Sequence, residues 1–105
     1  MTKGGRIMRK ILLDFNPDRT VEGIHQYLRF EMEFPSYYGN NLDALYDELT
    51  SITEDTCVGV FGLFKEKGEA SAYQRKIWKV MRDAERENPY LRVIFGDMKE
   101  NYEEE

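Results

Sequence analysis

Three short, nearly continuous apolar runs constrain the fold of this chain more than any other feature of its sequence. They lie at Lys10 to Phe15, Cys57 to Phe61 and Leu91 to Phe95, and segments with helical periodicity separate them. Strands of this kind are buried on both faces and are typical of parallel sheets with right-handed helical crossovers. The sequence therefore predicts an α/β fold, in which a small three-stranded parallel sheet is packed with three to four helices.

The predicted helices have recognisable ends. The first runs from a cap at Thr20 to about Glu33, the second begins at Leu42, and the third runs from about Ser71 to Asn88. Either Asn40 or Asn41 has the side chain needed to cap the second helix. A short helix near Phe64 would be the fourth.

Four individual side chains have predicted environments. His25 is the sole histidine and is expected at a partly buried or surface position, where it makes a poor metal ligand without a second histidine. Trp78 has the helical spacing of a core residue. Tyr38, rather than Tyr37, is expected to pack inside its turn. Cys57, the sole cysteine, lies in an apolar run, so it is expected to be a buried packing residue.

The length of 105 residues fits one domain with one hydrophobic core. We assign residues 1–8 to an N-terminal extension, residues 9–97 to a single domain and residues 98–105 to an acidic C-terminal tail. No apolar run approaches the roughly 20 residues that span a bilayer, and no signal-peptide pattern is present. These observations favour a cytoplasmic protein without a membrane partner, and Met8 is a second candidate start.

The stretch from Phe34 to Ile52 carries most of the functional information. It joins a Tyr-Tyr-Gly turn to the second helix, whose leucines recur with helical spacing and predict a core-facing side. A neighbouring side combines two carboxylates, an aromatic ring and a hydroxyl, and lacks lysine and arginine; its residues are Asp43, Tyr46, Asp47 and Thr50. This second side suits the binding of a basic partner.

The distribution of charge supports the same interpretation. Residues 20–55 contain eight acidic residues and one basic residue, Arg29, so their net charge of −7 exceeds in magnitude the −5 of the whole chain. Charge of one sign on one surface steers a partner of opposite charge. Nucleic acid is disfavoured as a direct ligand, because phosphate binding requires a basic surface.

Residues 35–50 resemble the signature of the barstar family, the intracellular inhibitors of barnase-type bacterial ribonucleases. The matching pattern is Pro-x-Tyr-Tyr-Gly-x-Asn-Leu-Asp-Ala-Leu-x-Asp-x-Leu-Thr, and the order of elements is similar over about residues 9–96. The resemblance implies a barstar-like sheet packed with helices. It also implies a protein inhibitor of a secreted, guanyl-specific, barnase-like ribonuclease, whose cationic active site an acidic helix blocks by imitating RNA phosphate.

The resemblance also implies roles for individual residues. Asp47 matches the central aspartate that occupies the phosphate site of the enzyme, and Asp43 matches a second contacting aspartate. Tyr37 matches an aromatic residue that packs on the catalytic histidine, and Thr50 matches a contacting threonine. The complete predicted partner-binding set is Tyr37, Asn41, Asp43, Tyr46, Asp47, Thr50, Ser51, Asp83 and Glu87.

The third helix contributes two members of this set. By the resemblance, Asp83 takes the place of an interface glutamate, and Glu87 takes that of a further acidic residue. Because Arg82 and Arg86 lie next to them in sequence, a local ion-pair network is the alternative interpretation.

Departures from the family pattern leave the target open. Tyr46 and Ile52 stand where the best-known member has tryptophans, and Ser51 replaces a glycine that contacts the enzyme. The alternative function is therefore an immunity or binding module for a different basic toxin or nuclease.

An enzyme is the other class that the acidic pair could serve. Paired aspartates can hold Mg²⁺ or act as acid and base. The sequence has no glycine-rich phosphate loop, Cys–His arrangement or HExxH-type cluster to complete such a site. We therefore expect no enzymatic activity, no catalytic residues, no metal and no cofactor.

Overall fold

The computed structural model describes residues 8–15, 20–62 and 69–96. The elements follow in the order β1 (Arg9–Asp14), α1 (Val21–Met32), α2 (Leu42–Thr50), β2 (Thr56–Phe61), α3 (Glu69–Glu87) and β3 (Leu91–Gly96). The strands form one parallel sheet in the order β1-β2-β3, which confirms the predicted α/β fold. The expected helix near Phe64 and most of the assigned extension and tail lie outside the described residues.

The sheet supplies one side of the hydrophobic core. Its central strand, β2, is buried along its whole length, as expected for a strand with neighbours at both edges. In the register of the sheet, Val58 lies between Ile11 and Val93, and all three belong to the core. Helix side chains complete this core, among them Leu28 of α1, Leu45 and Leu49 of α2, and Ile77 and Met81 of α3.

Helix α1 begins and ends at defined caps. The hydroxyl of Thr20 accepts a hydrogen bond of 2.9 Å from the Gly23 amide, which confirms the predicted start. Glu33 adopts the left-handed conformation with φ of 60° and ends the helix. Arg9 of β1 donates to the Met32 carbonyl at 2.9 Å, so this end of α1 is fixed to the sheet.

Two side-chain environments differ from the predictions. His25 is completely buried, not partly exposed, because it lies on the inner side of α1 beside Ile24 and Leu28. Trp78 is 38% exposed, so the expectation of a core residue is wrong. Its ring packs 6.0 Å from that of Phe95, at the margin where α3 meets β3 and solvent remains in reach. Cys57 is buried, as predicted.

Candidate protein-binding site

A tight turn brings the chain from α1 into α2. The Tyr38 amide donates to the Pro35 carbonyl at 3.0 Å, and Asn40 adopts φ of 57°, a left-handed conformation that asparagine tolerates. A Cβ atom on Gly39 would lie 3.2 Å from Asn41 Nδ2 and 3.4 Å from the Ala44 Cβ. A larger residue at this position would therefore require the Asn41 side chain to shift by a few tenths of an ångström.

Asn41, not Asn40, is the cap of α2. Its Oδ1 accepts from the Ala44 amide at 2.7 Å, and its Nδ2 donates to the Gly39 carbonyl at 3.1 Å. Both ends of the side-chain amide therefore hold the turn against the first turn of the helix. The contact of Asn41 with a partner stays a prediction, while its structural role is that of a cap.

Helix α2 separates its buried and solvent-facing residues cleanly. Leu45 and Leu49 are buried, and Leu42 and Ile52 pack partly against the core. Successive residues of a helix are rotated by about 100° around its axis. The five predicted partner-binding residues between Asp43 and the C-cap Ser51 therefore fall on one arc, away from the leucines. We call this arc the acidic face; it consists of Asp43, Tyr46, Asp47, Thr50 and Ser51.

Among the described residues, the carboxylates of the acidic face lack compensating cations. In the part of the chain that the structure describes, no lysine or arginine lies within ion-pair distance of Asp43 or Asp47. Asp43 lies in the first turn of α2, where the helix dipole favours a negative charge. The face therefore presents two negative charges to solvent from a rigid element.

The two aliphatic hydroxyls of the acidic face, those of Thr50 and Ser51, are bonded to the helix itself. Thr50 Oγ1 donates to the Tyr46 carbonyl at 2.8 Å, and Ser51 Oγ donates to the Asp47 carbonyl at 2.7 Å. The Asp47 carbonyl is one of the last four in α2 and has no amide partner within the helix, so the Ser51 bond satisfies it. The Thr50 bond to the Tyr46 carbonyl is an additional bond of the kind that threonine forms inside helices. The hydroxyl oxygens keep lone pairs that can accept from a partner.

The adjacent tyrosines of the turn point in opposite directions. Tyr37 is 82% exposed, whereas Tyr38 is buried and packs against Phe34 with ring centroids 4.8 Å apart. The prediction that Tyr38 is the structural member of the pair is confirmed. Tyr37 extends the solvent-exposed surface beyond the N-terminus of α2.

Asp83 and Glu87 have different surroundings on α3. Asp83 pairs with Lys79 at 3.1 Å and with Arg86 at 3.3 Å, so the predicted alternative of a local ion-pair network is observed for this residue. Glu87 is exposed and has no ion-pair partner among the residues described. It shares its flank of α3 with Tyr73 and Val80, because residues seven apart lie on one side of a helix.

Two buried polar residues next to α2 were missed by sequence reasoning. Asn88, at the end of α3, donates from Nδ2 to the carbonyls of Leu49 at 2.9 Å and Ile52 at 3.0 Å. His25 bonds to the Tyr38 hydroxyl at 2.8 Å. The sequence signal that could have found them is a polar residue in line with an apolar stripe. Asn88 follows the buried Ala84 by four residues, and His25 lies beside the buried Ile24.

The buried rings next to the turn are uncharged near neutral pH. Burial lowers the pKa of His25 below its ordinary value. Burial also raises the pKa of the Tyr38 hydroxyl, and the nearby Tyr73 and Glu48 raise it further. With a neutral imidazole, one ring nitrogen donates and the other accepts, so both can be satisfied by hydroxyl groups.

Other features of the described residues lie apart from this face. A groove of about 590 Å³ follows β1 and is lined by Arg9, Lys10, Leu12, Tyr27 and Glu31, among others, none of which belongs to the predicted set. No group of three His, Cys, Asp or Glu side chains within residues 8–15, 20–62 and 69–96 is arranged to hold a metal ion. No helix in these ranges is long and apolar enough to cross a membrane.

Comparison with known proteins identifies a family and a relative that this chain resembles. The model of a family described as "Barstar (barnase inhibitor)" matches residues 8–103, nearly the whole chain. A protein of Bacillus subtilis (strain 168) named "Putative ribonuclease inhibitor YrdF" is 49% identical over 43 residues. That match covers 41% of this chain and 47% of the relative, or about half of the length of the curated protein.

Proposed function

The chain belongs to the barstar family, and from this premise we propose that it inhibits a secreted guanyl-specific ribonuclease of the barnase type. Inhibition would occur by insertion of α2 and its preceding turn into the active site of the enzyme. The observation that carries the proposal is the acidic face, where Asp43 and Asp47 are exposed on a rigid helix without a described cationic partner.

A ribonuclease active site is cationic, because it must bind a phosphodiester and stabilise the charge of its transition state. Carboxylates imitate the phosphate by accepting charge-assisted hydrogen bonds from arginine, often as bidentate pairs. Because it matches the central aspartate of the family, Asp47 is assigned to the phosphate site. Asp43, one turn earlier, is assigned to a neighbouring cation of the enzyme.

The remaining predicted residues surround this pair. Tyr37 and Tyr46 offer exposed aromatic area, which contributes strongly at the centres of interfaces and loses little side-chain entropy. We assign the polar rim to Asn41, Thr50, Ser51, Asp83 and Glu87. Rim groups of this kind affect specificity and association rate more than affinity.

Rigidity and charge both favour rapid, tight binding. Because the carboxylates are fixed on a folded helix, little conformational entropy is lost when the enzyme binds. The excess of negative charge in residues 20–55 attracts a basic enzyme over a distance and raises the association rate at low salt.

A different basic nuclease or toxin is the second candidate partner. Tyr46 and Ser51 depart from the family pattern, and both belong to the acidic face. Residues at such positions decide which partner fits, since specificity depends on differences between competing contacts.

The test is a titration of this protein into a barnase-type ribonuclease while RNA cleavage is followed. We expect stoichiometric inhibition by the unmodified protein and its loss with Asp47→Ala. Glu22→Ala is the matched control, because it removes an exposed negative charge from α1, away from the acidic face. Absence of inhibition at high micromolar concentration and low salt would move the search to other basic toxins.

A further inference from the structure

We propose that His25 and Asn88 are positioning residues, which hold the two ends of the α2 unit, residues 38–52, in the conformation that binds the partner. Both are buried and polar, and both make hydrogen bonds to this unit from other helices. The consequence for binding rests on the proposed function. The consequence for the conformation of α2 does not, and it can be measured in the protein alone.

At the N-terminal end, a chain of three side chains fixes the turn. His25 Nδ1 lies 2.8 Å from the Tyr38 hydroxyl, and His25 Nε2 lies 2.6 Å from the Tyr73 hydroxyl. These hydrogen bonds therefore join the turn to α1 and to α3. Tyr38 is adjacent to the exposed Tyr37 and three residues before the cap Asn41, so fixing it restrains the turn that leads into α2.

At the C-terminal end, one side chain joins three backbone groups. Asn88 Nδ2 donates to the carbonyls of Leu49 at 2.9 Å and Ile52 at 3.0 Å, while Oδ1 accepts from the Tyr90 amide at 2.9 Å. The Leu49 carbonyl is one of the last in α2 and lacks a partner within the helix. The end of α3 therefore caps the end of α2.

Helix α2 needs such external anchors because it is short. It has nine residues, and isolated helices of this length are unstable in water. Burial of Leu45 and Leu49 holds α2 on the core, but apolar contact is not directional and tolerates small rotations and shifts. Hydrogen bonds at both ends are directional, so they fix the helix and the direction in which Asp43 and Asp47 point.

Both positions would accept an apolar side chain if packing were their only role. Buried polar groups lose their hydration and must regain hydrogen bonds from the protein. The Asn88 side chain forms two bonds with the α2 unit and one with Tyr90, just before β3, and His25 directs one of its two bonds to the turn. A preorganised α2 unit would lose less entropy on binding, which is how these residues would raise affinity.

The first test is residue-resolved amide hydrogen exchange of the protein alone. Tyr38→Phe removes one hydroxyl, and Asn88→Asp keeps the shape but replaces the donor with an acceptor. The control is Tyr27→Phe, which removes a hydroxyl that accepts from the Asp14 amide in β1, at 2.7 Å.

We expect exchange at least tenfold faster in residues 38–50 of the two variants, with β2 unchanged and the control unaffected in this segment. A uniform increase across sheet and helices, or no increase in residues 38–50, would overturn the proposal. If Asn88→Asp does not fold, Tyr38→Phe decides the matter, since it leaves the core volume nearly unchanged.

The second test is affinity for the inhibited ribonuclease at a temperature where circular dichroism shows every variant to be folded. We expect binding about five- to twentyfold weaker for Tyr38→Phe and Asn88→Asp, and within twofold for Tyr27→Phe. Variants that bind as tightly as the unmodified protein would overturn the positioning role and leave the proposed function intact. If the unmodified protein does not inhibit, the proposed function fails, and hydrogen exchange alone decides the positioning role.

Discussion

Helices α2 and α3 each carry two acidic residues with the same spacing, but Asp47 of α2 and Asp83 of α3 are in opposite electrostatic situations. Asp43 and Asp47 are four residues apart on α2, as Asp83 and Glu87 are on α3. Asp83 pairs with Lys79 and Arg86, whereas the α2 pair has no cationic partner among the described residues. The comparison teaches that the neighbours of an acid, rather than its spacing, decide whether its charge remains available to a partner.

The largest expected effect tests this difference directly. Asp47→Asn should weaken inhibition by about a hundredfold or more, roughly 3 kcal/mol, because central charged contacts dominate interfaces. Asp83→Asn should change the inhibition constant by less than about threefold, since Lys79 and Arg86 already neutralise that carboxylate. Equal losses measured for the two substitutions would contradict the comparison.

A smaller effect should follow from making α2 resemble α3. Ser51→Lys would place an ammonium group four residues after Asp47, the spacing that Lys79 and Asp83 show on α3. We expect inhibition to weaken by about tenfold, because the lysine competes for the carboxylate and repels a basic enzyme. Ser51→Ala is the control for the lost hydroxyl, and a similar loss in both variants would rule out the charge as the cause.

A still smaller effect is expected at Glu48, a partly buried residue of α2 that lies next to the acidic face. Glu48→Gln should lower the association rate by about two- to threefold at low salt and leave dissociation nearly unchanged. Stopped-flow mixing with the ribonuclease at several salt concentrations measures both rates. A change confined to dissociation would mean that Glu48 makes a direct contact rather than a contribution to steering.

The last effect is on stability rather than on inhibition and concerns His25, which connects the turn before α2 to α3. The groups that face its ring are Tyr38 of the turn and Tyr73 of α3, and Glu48 of α2 lies near Tyr38. Burial lowers the pKa of His25 in the folded protein, so the unfolded chain binds the proton more readily. The contribution of His25 to stability is therefore complete above the ordinary pKa of about 6.5 and is lost as the pH falls below it.

Urea unfolding at pH 7.5, 6.0 and 5.0 measures this loss. The free energy of unfolding should fall by at most about 1.4 kcal/mol per pH unit through this one group. His25→Gln is the comparison, because it lacks the titrating ring and retains the same carboxylates. A variant with the same pH dependence as the unmodified protein would show that His25 does not titrate in this range.

Much of the fold was predictable because its signals are local. The strand runs, the Thr20 cap and the leucine stripe of α2 depend on side-chain periodicity and on hydrogen bonds within a few residues. The arrangement of the acidic face follows from the same periodicity, so its residues could be grouped before the structure was known. Their contact with a partner stays a prediction.

Other features depend on which distant segments meet. Asn88 reaches carbonyls 39 and 36 residues earlier in the chain, and His25 meets Tyr73 across 48 residues. Nothing in the neighbouring sequence of either residue specifies such partners. The exposure of Trp78 was likewise decided by how far α3 extends over β3, which the helical spacing of the residue does not encode.

The sequence by itself therefore determined the elements, their order and the side of α2 that carries Asp43 and Asp47. Those properties arise from the geometry of a helix or strand and from neighbouring residues. Only the tertiary structure decided how the ends of α2 are anchored, that His25 is buried and that Trp78 is exposed. The physical reason is that burial and pairing depend on packing, and packing brings together residues that periodicity treats independently.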